Sequence, residues 1–159
     1  MKLINGVIWL CESDVAIDSN MSMNNTARKG GVLFVHNRRL HVTYSTYSHN
    51  EAAEGGVIFT DKSLITIVDS TFTGNVGPFG GVILNKFGSS FSVTNSKFSG
   101  NRALYGGVLF INRLLSSFNI TESTFLSNSA GSGEVILSDT SGSLINSKCS
   151  LRWCHLCST

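Results

Sequence analysis

The segment STFTGNVGPFGGVI, residues 70–83, decides the fold of this chain, because copies of it recur along the whole sequence. It contains two boxes: an aromatic residue three positions before an asparagine, and a glycine pair followed by valine. The valine of the second box recurs at positions 7, 32, 57, 82, 108 and 135, in steps of 25, 25, 25, 26 and 27 residues. A period this regular indicates a stacked repeat architecture.

The asparagine box keeps the same period, and its column consists of Asn25, Asn50, Asn75, Asn101 and Asn128. A serine stands two positions before the aromatic residue of the box, as Ser70 stands before Phe72. Alternating apolar residues such as Ile65 and Ile67 lie upstream, and alternation with a period of two is typical of a β-strand. Each unit therefore predicts two or three short strands separated by Gly, Asn and Ser turns.

A unit of about 25 residues cannot bury an apolar side on its own, so the units have to stack. Three short strands per turn, with equivalent residues of successive turns about 4.8 Å apart, build a parallel β-helix. A leucine-rich repeat has a similar period, but its leucine-dense consensus is missing here. We expect an all-β solenoid of about six coils over residues 1–148, a fragment of a longer solenoid, and an irregular cysteine-containing tail or cap over 149–159.

Composition excludes several classes of protein. Charged residues make up 14% of the chain and hydrophobic residues 42%, which argues against a disordered chain. The net charge of +2 provides no long-range field of the kind that recruits nucleic acid. No apolar run approaches the roughly 18 residues that a membrane-spanning helix needs. We therefore expect neither a nucleic-acid partner nor a transmembrane helix.

The repeat columns acquire physical roles in such a stack. We expect the asparagine column to occupy a tight bend that tolerates left-handed backbone, and its side-chain amides to form a hydrogen-bonded ladder from coil to coil. The glycine pairs mark another bend, where a positive φ or a close backbone approach excludes a side chain. These columns are structural predictions and carry no chemistry.

Val32, Leu33 and Phe34 belong to three adjacent apolar columns, and a period of two sends at least one of them outward. The outward set is either the valine and aromatic columns together or the isoleucine and leucine column. An exposed apolar stripe of that length is a candidate partner surface. The other interpretation is burial under a neighbouring loop or chain, or a flattened coil with both faces covered.

The boxes Gly-Gly-Val-Ile, at 55–58 and 80–83, and Phe-x-x-Asn, at 72–75, 98–101 and 125–128, resemble the repeats of chlamydial polymorphic outer-membrane proteins. That family has Gly-Gly-Ala-Ile in the first box, where this chain has valine in place of alanine. The resemblance covers about residues 5–150. It implies a right-handed β-helix of the pectin lyase-like kind, secreted or on the cell surface (the outer membrane in a bacterium).

The resemblance also implies a role. It favours a structural stalk or an adhesive binding surface without catalysis. The partners implied are further β-helix coils of the parent chain or of another protein, and surface glycans or proteins outside the cell. No cofactor is expected.

A carbohydrate-active enzyme, similar to a polysaccharide lyase or hydrolase, is the alternative, because β-helices also serve such reactions. This chemistry needs clustered carboxylates. Asp69 and Glu122 fall in one column with Asn95 between them. Two coils put their Cα atoms about 9.6 Å apart, the outer edge of the range for an inverting glycosidase. Since no Asp-Asp pair, calcium repeat or nucleophile motif accompanies them, we prefer two solvated acids and no active site.

The remaining motifs are weak. Cys149, Cys154 and Cys157 have part of the spacing of zinc ligands, and a disulfide between the last two would be strained. We therefore predict no metal site. Asn-x-Ser/Thr sequons mark candidate glycosylation sites at Asn24 and Asn119 for a secreted eukaryotic protein. A third sequon, at Asn20, is less favoured because it occupies the serine column.

Overall fold

The structure is a computed structural model that describes residues 8–11, 13–112, 116–138, 142–145, 147–149 and 156–157. These residues form strands and no helix, and the search for a helix able to cross a membrane finds none among them. The strands are β1 (Ile8–Leu10), β2 (Val15–Asp18), β3 (Met21–Met23), β4 (Thr26–Lys29), β5 (Leu33–His36), β6 (Arg39–Thr43), β7 (Thr46–Ser48), β8 (Glu51–Glu54), β9 (Ile58–Asp61), β10 (Leu64–Val68), β11 (Thr71–Thr73), β12 (Ile83–Lys86), β13 (Ser90–Thr94), β14 (Lys97–Ser99), β15 (Leu109–Asn112), β16 (Ser117–Thr121), β17 (Thr124–Leu126), β18 (Ile136–Ser138), β19 (Gly142–Ile145), β20 (Lys148–Cys149) and β21 (Leu156–Cys157).

Three parallel sheets run along the stack. The first has the order β1-β5-β9-β12-β15-β18-β21, the second β2-β6-β10-β13-β16-β19, and the third β3-β7-β11-β14-β17-β20. A short fourth sheet pairs β4 with β8. Strands pair with their equivalents one coil away, as Ile65 pairs with Leu40 on one side and with Phe91 on the other. The predicted all-β parallel β-helix is confirmed, and its right-handed sense stays a prediction.

The stack continues beyond residue 148, where the sequence predicts an irregular tail. Cys149 lies in β20 and pairs with Phe125, the position that the aromatic residue holds in the other coils. Farther on, β21 pairs with β18 in the first sheet. The remaining residues of 149–159, including Cys154, lie outside the described residues.

Continuous columns of apolar side chains fill the interior. Leu33, Ile58 and Ile83 form one column and are fully buried. A second column runs along the third sheet, with ring centroids 4.9 to 5.1 Å apart, and consists of Tyr47, Phe72, Phe98 and Phe125. Because each side chain packs against its equivalents in the coils above and below, the core forms only when the coils stack.

The glycine pairs show both of the predicted reasons for glycine. The first glycine of each pair, such as Gly55 or Gly80, has a φ between 55° and 67°. The second glycine lies so close to the next coil that a Cβ atom on Gly56 would overlap the carbonyl oxygen of Gly81. The first position therefore needs the left-handed backbone and the second needs the space.

The three adjacent apolar columns match neither of the two predicted outward sets, whereas the burial of Phe59 and Leu84 agrees with the other interpretation, burial of the outer face. Val57 and Ile58 are both fully buried, because Val57 lies in the bend before β9 begins and does not follow the alternation of the strand. Phe59 lies outside the core cluster, on the outer face of β9. It is nevertheless buried, since the ammonium groups of Lys29 and Lys86 lie 4.8 and 5.5 Å from the centre of its ring. The prediction that the valine and aromatic columns share a face is therefore wrong.

Tyr47 is the one tyrosine in the aromatic column, and it is fully buried. Burial raises the pKa of its hydroxyl from 10.0 to about 12, and the Ser45 side chain offsets part of this rise. Despite the nearby Ser45, the hydroxyl oxygen has no hydrogen-bond partner of good geometry. Because the folded pKa lies above the unfolded one, burial penalises the phenolate, and the folded state loses stability as the pH rises from 10.0 through about 12.

We expect Tyr47→Phe to raise the free energy of unfolding at neutral pH by about 1 kcal/mol, because it removes an unpaired buried hydroxyl. The variant is also expected to lose less stability than the native chain in the alkaline range between the two pKa values. Urea unfolding at neutral pH and through the alkaline range measures both effects. A variant less stable than the native chain at neutral pH would show that the hydroxyl has a stabilising partner.

Candidate functional site

The asparagine column forms a ladder inside the stack. Side-chain amide donors and carbonyl acceptors of successive asparagines lie 2.9 to 3.1 Å apart from Asn25 to Asn128. Each acceptor also takes the backbone N–H of the preceding asparagine, as Asn75 Oδ1 takes that of Asn50 at 2.9 Å. The second amide proton of Asn75 is donated to the carbonyl of Tyr47 at 3.0 Å. Because these amides are hydrogen-bonded within the stack, they are not available to bind a ligand.

The left-handed residue of this bend is not the asparagine itself. The residue before it has the positive φ: 57° at Asn24, 53° at His49, 62° at Gly74, 64° at Gly100 and 53° at Ser127. The asparagine is free to turn inward because its neighbour makes the bend. The predicted link between the asparagine column and left-handed backbone therefore holds for the preceding position.

A serine ladder runs parallel to the asparagine ladder. The backbone N–H groups of Ser45, Ser70 and Ser96 donate to the hydroxyl oxygen of the serine one coil later at 3.1 to 3.2 Å. Each of these hydroxyls donates in turn to the carbonyl two residues earlier in its own coil at 2.7 to 2.9 Å. The serines are thus hydrogen-bonded within the scaffold and are poorly placed to act as nucleophiles.

Asp69 and Glu122 lie at equivalent positions of the bend that joins the second sheet to the third. Both have a positive φ, 50° and 52°, and so do Asn95, Tyr44 and Ser19 in the other coils. The Asp69 carboxylate accepts a 2.5 Å hydrogen bond from the Asn95 amide, and Glu122 is exposed. The column is thus an ordinary bend that accepts many residue types.

The described residues contain no group of three or more His, Cys, Asp and Glu side chains that could hold a metal ion. Cys154, one of the three cysteines with part of the spacing of zinc ligands, lies outside the described residues.

The candidate glycosylation sites differ in their surroundings. Asn24 is exposed at the turn after β3. Asn119 is exposed on the outer face of β16, where its side-chain oxygen accepts a hydrogen bond from Ser143 at 2.7 Å. Asn20 is half-buried and its backbone N–H joins the serine ladder through Ser45 at 3.0 Å. The first two have room for a glycan, and the third is part of the scaffold.

Up to β20, all variation in the length of the described coils lies at one corner; after β20 the side from the third sheet to the first also shortens, from eleven positions between Phe125 and Ile136 to seven between Cys149 and Leu156. From the first sheet to the second, Val35 to Leu40 is five positions, and the equivalent spans 60–65, 85–91, 111–118 and 138–142 are five, six, seven and four. From the second sheet to the third, Leu40 to Tyr47 is seven positions, as in every later coil. We name this segment the variable corner; it comprises residues 37–38, 62–63 and 87–89 between the strands of successive coils.

One cavity opens along the variable corner and a second adjoins it over the second sheet, and we call them together the corner groove. One has a volume of about 400 Å³ and is lined by Asp14, Asn37, Arg38, Arg39, Lys62, Ser63, Leu64, Gly88 and Ser90. The other has a volume of about 440 Å³, lies over the second sheet and includes Asp14, Arg39, His41, Leu64 and Thr66. Because the cavities share Asp14, Arg39 and Leu64, they form one depression that crosses four coils.

The corner groove is positively charged. Three cations, Arg38, Arg39 and Lys62, face one acid, Asp14, among its described lining, a net charge of 3 − 1 = +2. The whole chain has a net charge of +2, so this one site contains as much net positive charge as the entire protein. Asp14 accepts a hydrogen bond from the backbone N–H of Arg39 at 2.9 Å, a contact that does not involve the Arg39 guanidinium.

Arg38 is held in place beside this groove. Its Nη1 donates to the carbonyl of Asn37 at 2.7 Å, while its buried Nε has no hydrogen-bond partner. Elsewhere in these coils, His36 Nδ1 lies 2.9 Å from the Asp61 carboxylate, and Lys86 forms an ion pair with Glu54 at 2.9 Å.

An aromatic stripe on the outer face of the first sheet is the second candidate surface. Trp9 stacks on Phe34 with centroids 4.6 Å apart, and Phe34 stacks on Phe59 at 5.0 Å. Trp9 is 63% exposed, whereas Phe59 lies under two lysines. Rings stacked on one another present their edges outward, so the stripe offers little flat surface away from Trp9.

Sequence reasoning missed the corner groove. Its residues are scattered over four coils, and Arg38, Arg39 and Lys62 form no spaced motif. The two longer steps of the period, 26 and 27 residues, show that some coils contain extra residues. The strand register was needed to assign these extra residues to one corner.

Comparison of the chain with protein-family models, curated proteins and solved structures finds no match. The resemblance of its boxes to outer-membrane repeats therefore stays a prediction.

Proposed function

We propose that this chain is a non-catalytic β-helix module of a secreted or cell-surface protein, where it acts as a rigid stalk and presents an adhesive binding surface. One observation carries the proposal: up to β20, coil length varies at a single corner, whereas the other two sides keep a constant register. In repeat proteins, insertions of this kind concentrate on one face, which is often the binding face.

The scaffold supports the stalk role. Asparagine and serine ladders and an aromatic column run from coil to coil, so each coil is tied to the next by hydrogen bonds and by ring stacking. In a quasi-one-dimensional stack of this kind, such contacts between neighbours set the stability. A stiff rod with one variable edge suits contact with an external surface.

A carbohydrate-active enzyme is the second candidate, with Asp69 and Glu122 as its acids. Against it, the Asp69 carboxylate is hydrogen-bonded to Asn95 and the same bend is occupied by Tyr44 and Ser19 in earlier coils. A site that tolerates such different residues at equivalent positions has the character of a solvated bend. We therefore favour binding without turnover.

Beads coated with the chain are expected to be retained on cell monolayers or extracellular matrix more than beads coated with heat-unfolded chain. In parallel, the chain is expected to release no new reducing ends or unsaturated products from a panel of polysaccharides. A double variant, Asp69→Asn with Glu122→Gln, should be retained as well as the native chain, because neither acid binds the surface.

Two results would contradict this proposal. The first is retention no greater than that of the unfolded control. The second is cleavage of a polysaccharide that the double variant no longer performs, which would establish the enzyme alternative.

A further inference from the structure

Resting on the proposed function, we propose that the corner groove is the contact site of this module and that its partner is a sulfated polysaccharide. The cations of the groove come from two neighbouring coils: Arg38 and Arg39 from one, Lys62 from the next. They meet over a cavity of about 400 Å³ in which Asp14 is the one acid among the described lining residues. A negatively charged ligand is the natural counterpart of this arrangement.

The number of donors favours a sulfate ester over a carboxylate. The two oxygens of a carboxylate are matched by the fork of a single guanidinium. Here two arginines and one lysine line the same cavity. A sulfate ester has three terminal oxygens around a tetrahedral centre and accepts from several directions at once.

The shape of the groove favours a polymer of sugars. It crosses four coils, from Asp14 to Ser90, and three coil steps span about 14 Å. Leu64, which lines both cavities, is 44% exposed, and Ser90 and Thr66 have hydroxyl groups beside it, whereas the Ser63 hydroxyl is buried and donates to the Asp61 carbonyl at 2.7 Å. An exposed apolar residue between hydroxyls and cations suits a sugar ring, which has apolar faces, hydroxyl edges and, here, charged substituents.

A nucleic acid fits the same groove less well. Proteins that bind single strands combine cations with aromatic rings on which bases stack. The described residues that line the groove include no Phe, Tyr or Trp. The chain also has a net charge of only +2, whereas nucleic-acid binding depends on neutralising many phosphates.

The test uses surface-immobilised dextran sulfate and unmodified dextran, which differ only in the sulfate esters. The triple variant Arg38→Gln, Arg39→Gln, Lys62→Gln is expected to bind dextran sulfate about 10-fold more weakly than the native chain. The matched control is Arg28→Gln, Lys97→Gln, Arg102→Gln, which removes the same charge from exposed positions on other parts of the stack. It is expected to bind within about 2-fold of the native chain. At physiological salt, charges far from the ligand are screened, so that mainly the charges in direct contact with it contribute to binding.

Asp14→Asn provides a variant that gains affinity. Asparagine keeps the oxygen that accepts the Arg39 backbone N–H but removes the negative charge from the groove. We expect binding to dextran sulfate about 2- to 3-fold tighter than that of the native chain, at unchanged thermal stability. Equal unfolding temperatures of all variants show that the differences do not arise from misfolding.

Polygalacturonate and a single-stranded DNA oligonucleotide complete the set of probes. Stronger binding to dextran sulfate than to either supports the proposal, together with weak binding to dextran. Equal losses in the two triple variants, or binding to DNA or polygalacturonate as strong as to dextran sulfate, would overturn it. If the groove triple variant binds dextran sulfate as tightly as the native chain while coated beads are still retained on cells, the groove assignment fails and the proposed function stands. If beads coated with the native chain are not retained, the proposed function itself fails.

Discussion

Gly81→Ala is expected to destabilise the β-helix by about 3 kcal/mol or more and to leave much of the chain unfolded. A Cβ atom on Gly81 would overlap the carbonyl oxygen of Gly107 in the next coil and would lie 2.9 Å from that of Arg102. Both obstacles are backbone atoms, and hydrogen bonds between coils hold the backbone in place. The Gly81 N–H, for example, donates to the carbonyl of Gly106 at 3.0 Å. The coils would have to separate to admit one methyl group.

Circular dichroism during thermal and urea unfolding measures this effect, and Gly100→Ala is the matched control. Gly100 has a φ of 64°, so alanine there is strained, but the nearest heavy atom to its Cβ position is 4.0 Å away. We expect that variant to lose only about 1 kcal/mol, the cost of left-handed backbone for a residue with a side chain. If the two variants unfold at the same temperature, close coil contact is not the reason for the second glycine.

Asn75→Ala is expected to lower the free energy of unfolding by about 3 kcal/mol. Asn75 is fully buried in the middle of the ladder, and its loss leaves several groups unpaired at once. The backbone N–H and the amide of Asn50 lose their acceptor, and the Tyr47 carbonyl loses a donor. A single buried group left unsatisfied costs about 1–3 kcal/mol, and the cavity adds to it.

The exposed Asn119→Ala is the control for that variant. Asn119 lies on the outer face of β16 and makes one exposed side-chain hydrogen bond, to Ser143. Its removal is expected to change the free energy of unfolding by less than about 0.5 kcal/mol. Equal urea midpoints for the two variants would show that the ladder contributes little to stability.

Much of this architecture was predictable because every coil repeats the same physical solution. The period determines which residues are neighbours, so the pairing of Ile65 with Leu40 and Phe91 followed from alignment of the boxes. The asparagine ladder was also predictable, since a buried amide at a constant period has its equivalent as its nearest partner. The same reasoning places Tyr47 in the aromatic column, but it does not predict that the Tyr47 hydroxyl lacks a hydrogen-bond partner.

Other features depended on the three-dimensional path of the bends. The alternation of a strand predicts the direction of a side chain only inside the strand, and Val57 lies in a bend just before β9. For the same reason the left-handed backbone falls at Gly74 and not at Asn75. Residues in bends do not follow the period-two alternation of a strand, so the sequence pattern cannot assign them to a face.

The sequence by itself determined the repeat, the parallel stacking and the columns that fill the core, because these follow from a period that is read along one chain. Only the tertiary structure decided which side of the prism holds the extra residues and brings Arg38, Arg39 and Lys62 to one groove with Leu64. The physical reason is that a binding site on a solenoid is built across coils, from residues about 25 positions apart that share no motif. These residues become neighbours only when the strands of successive coils pair in register.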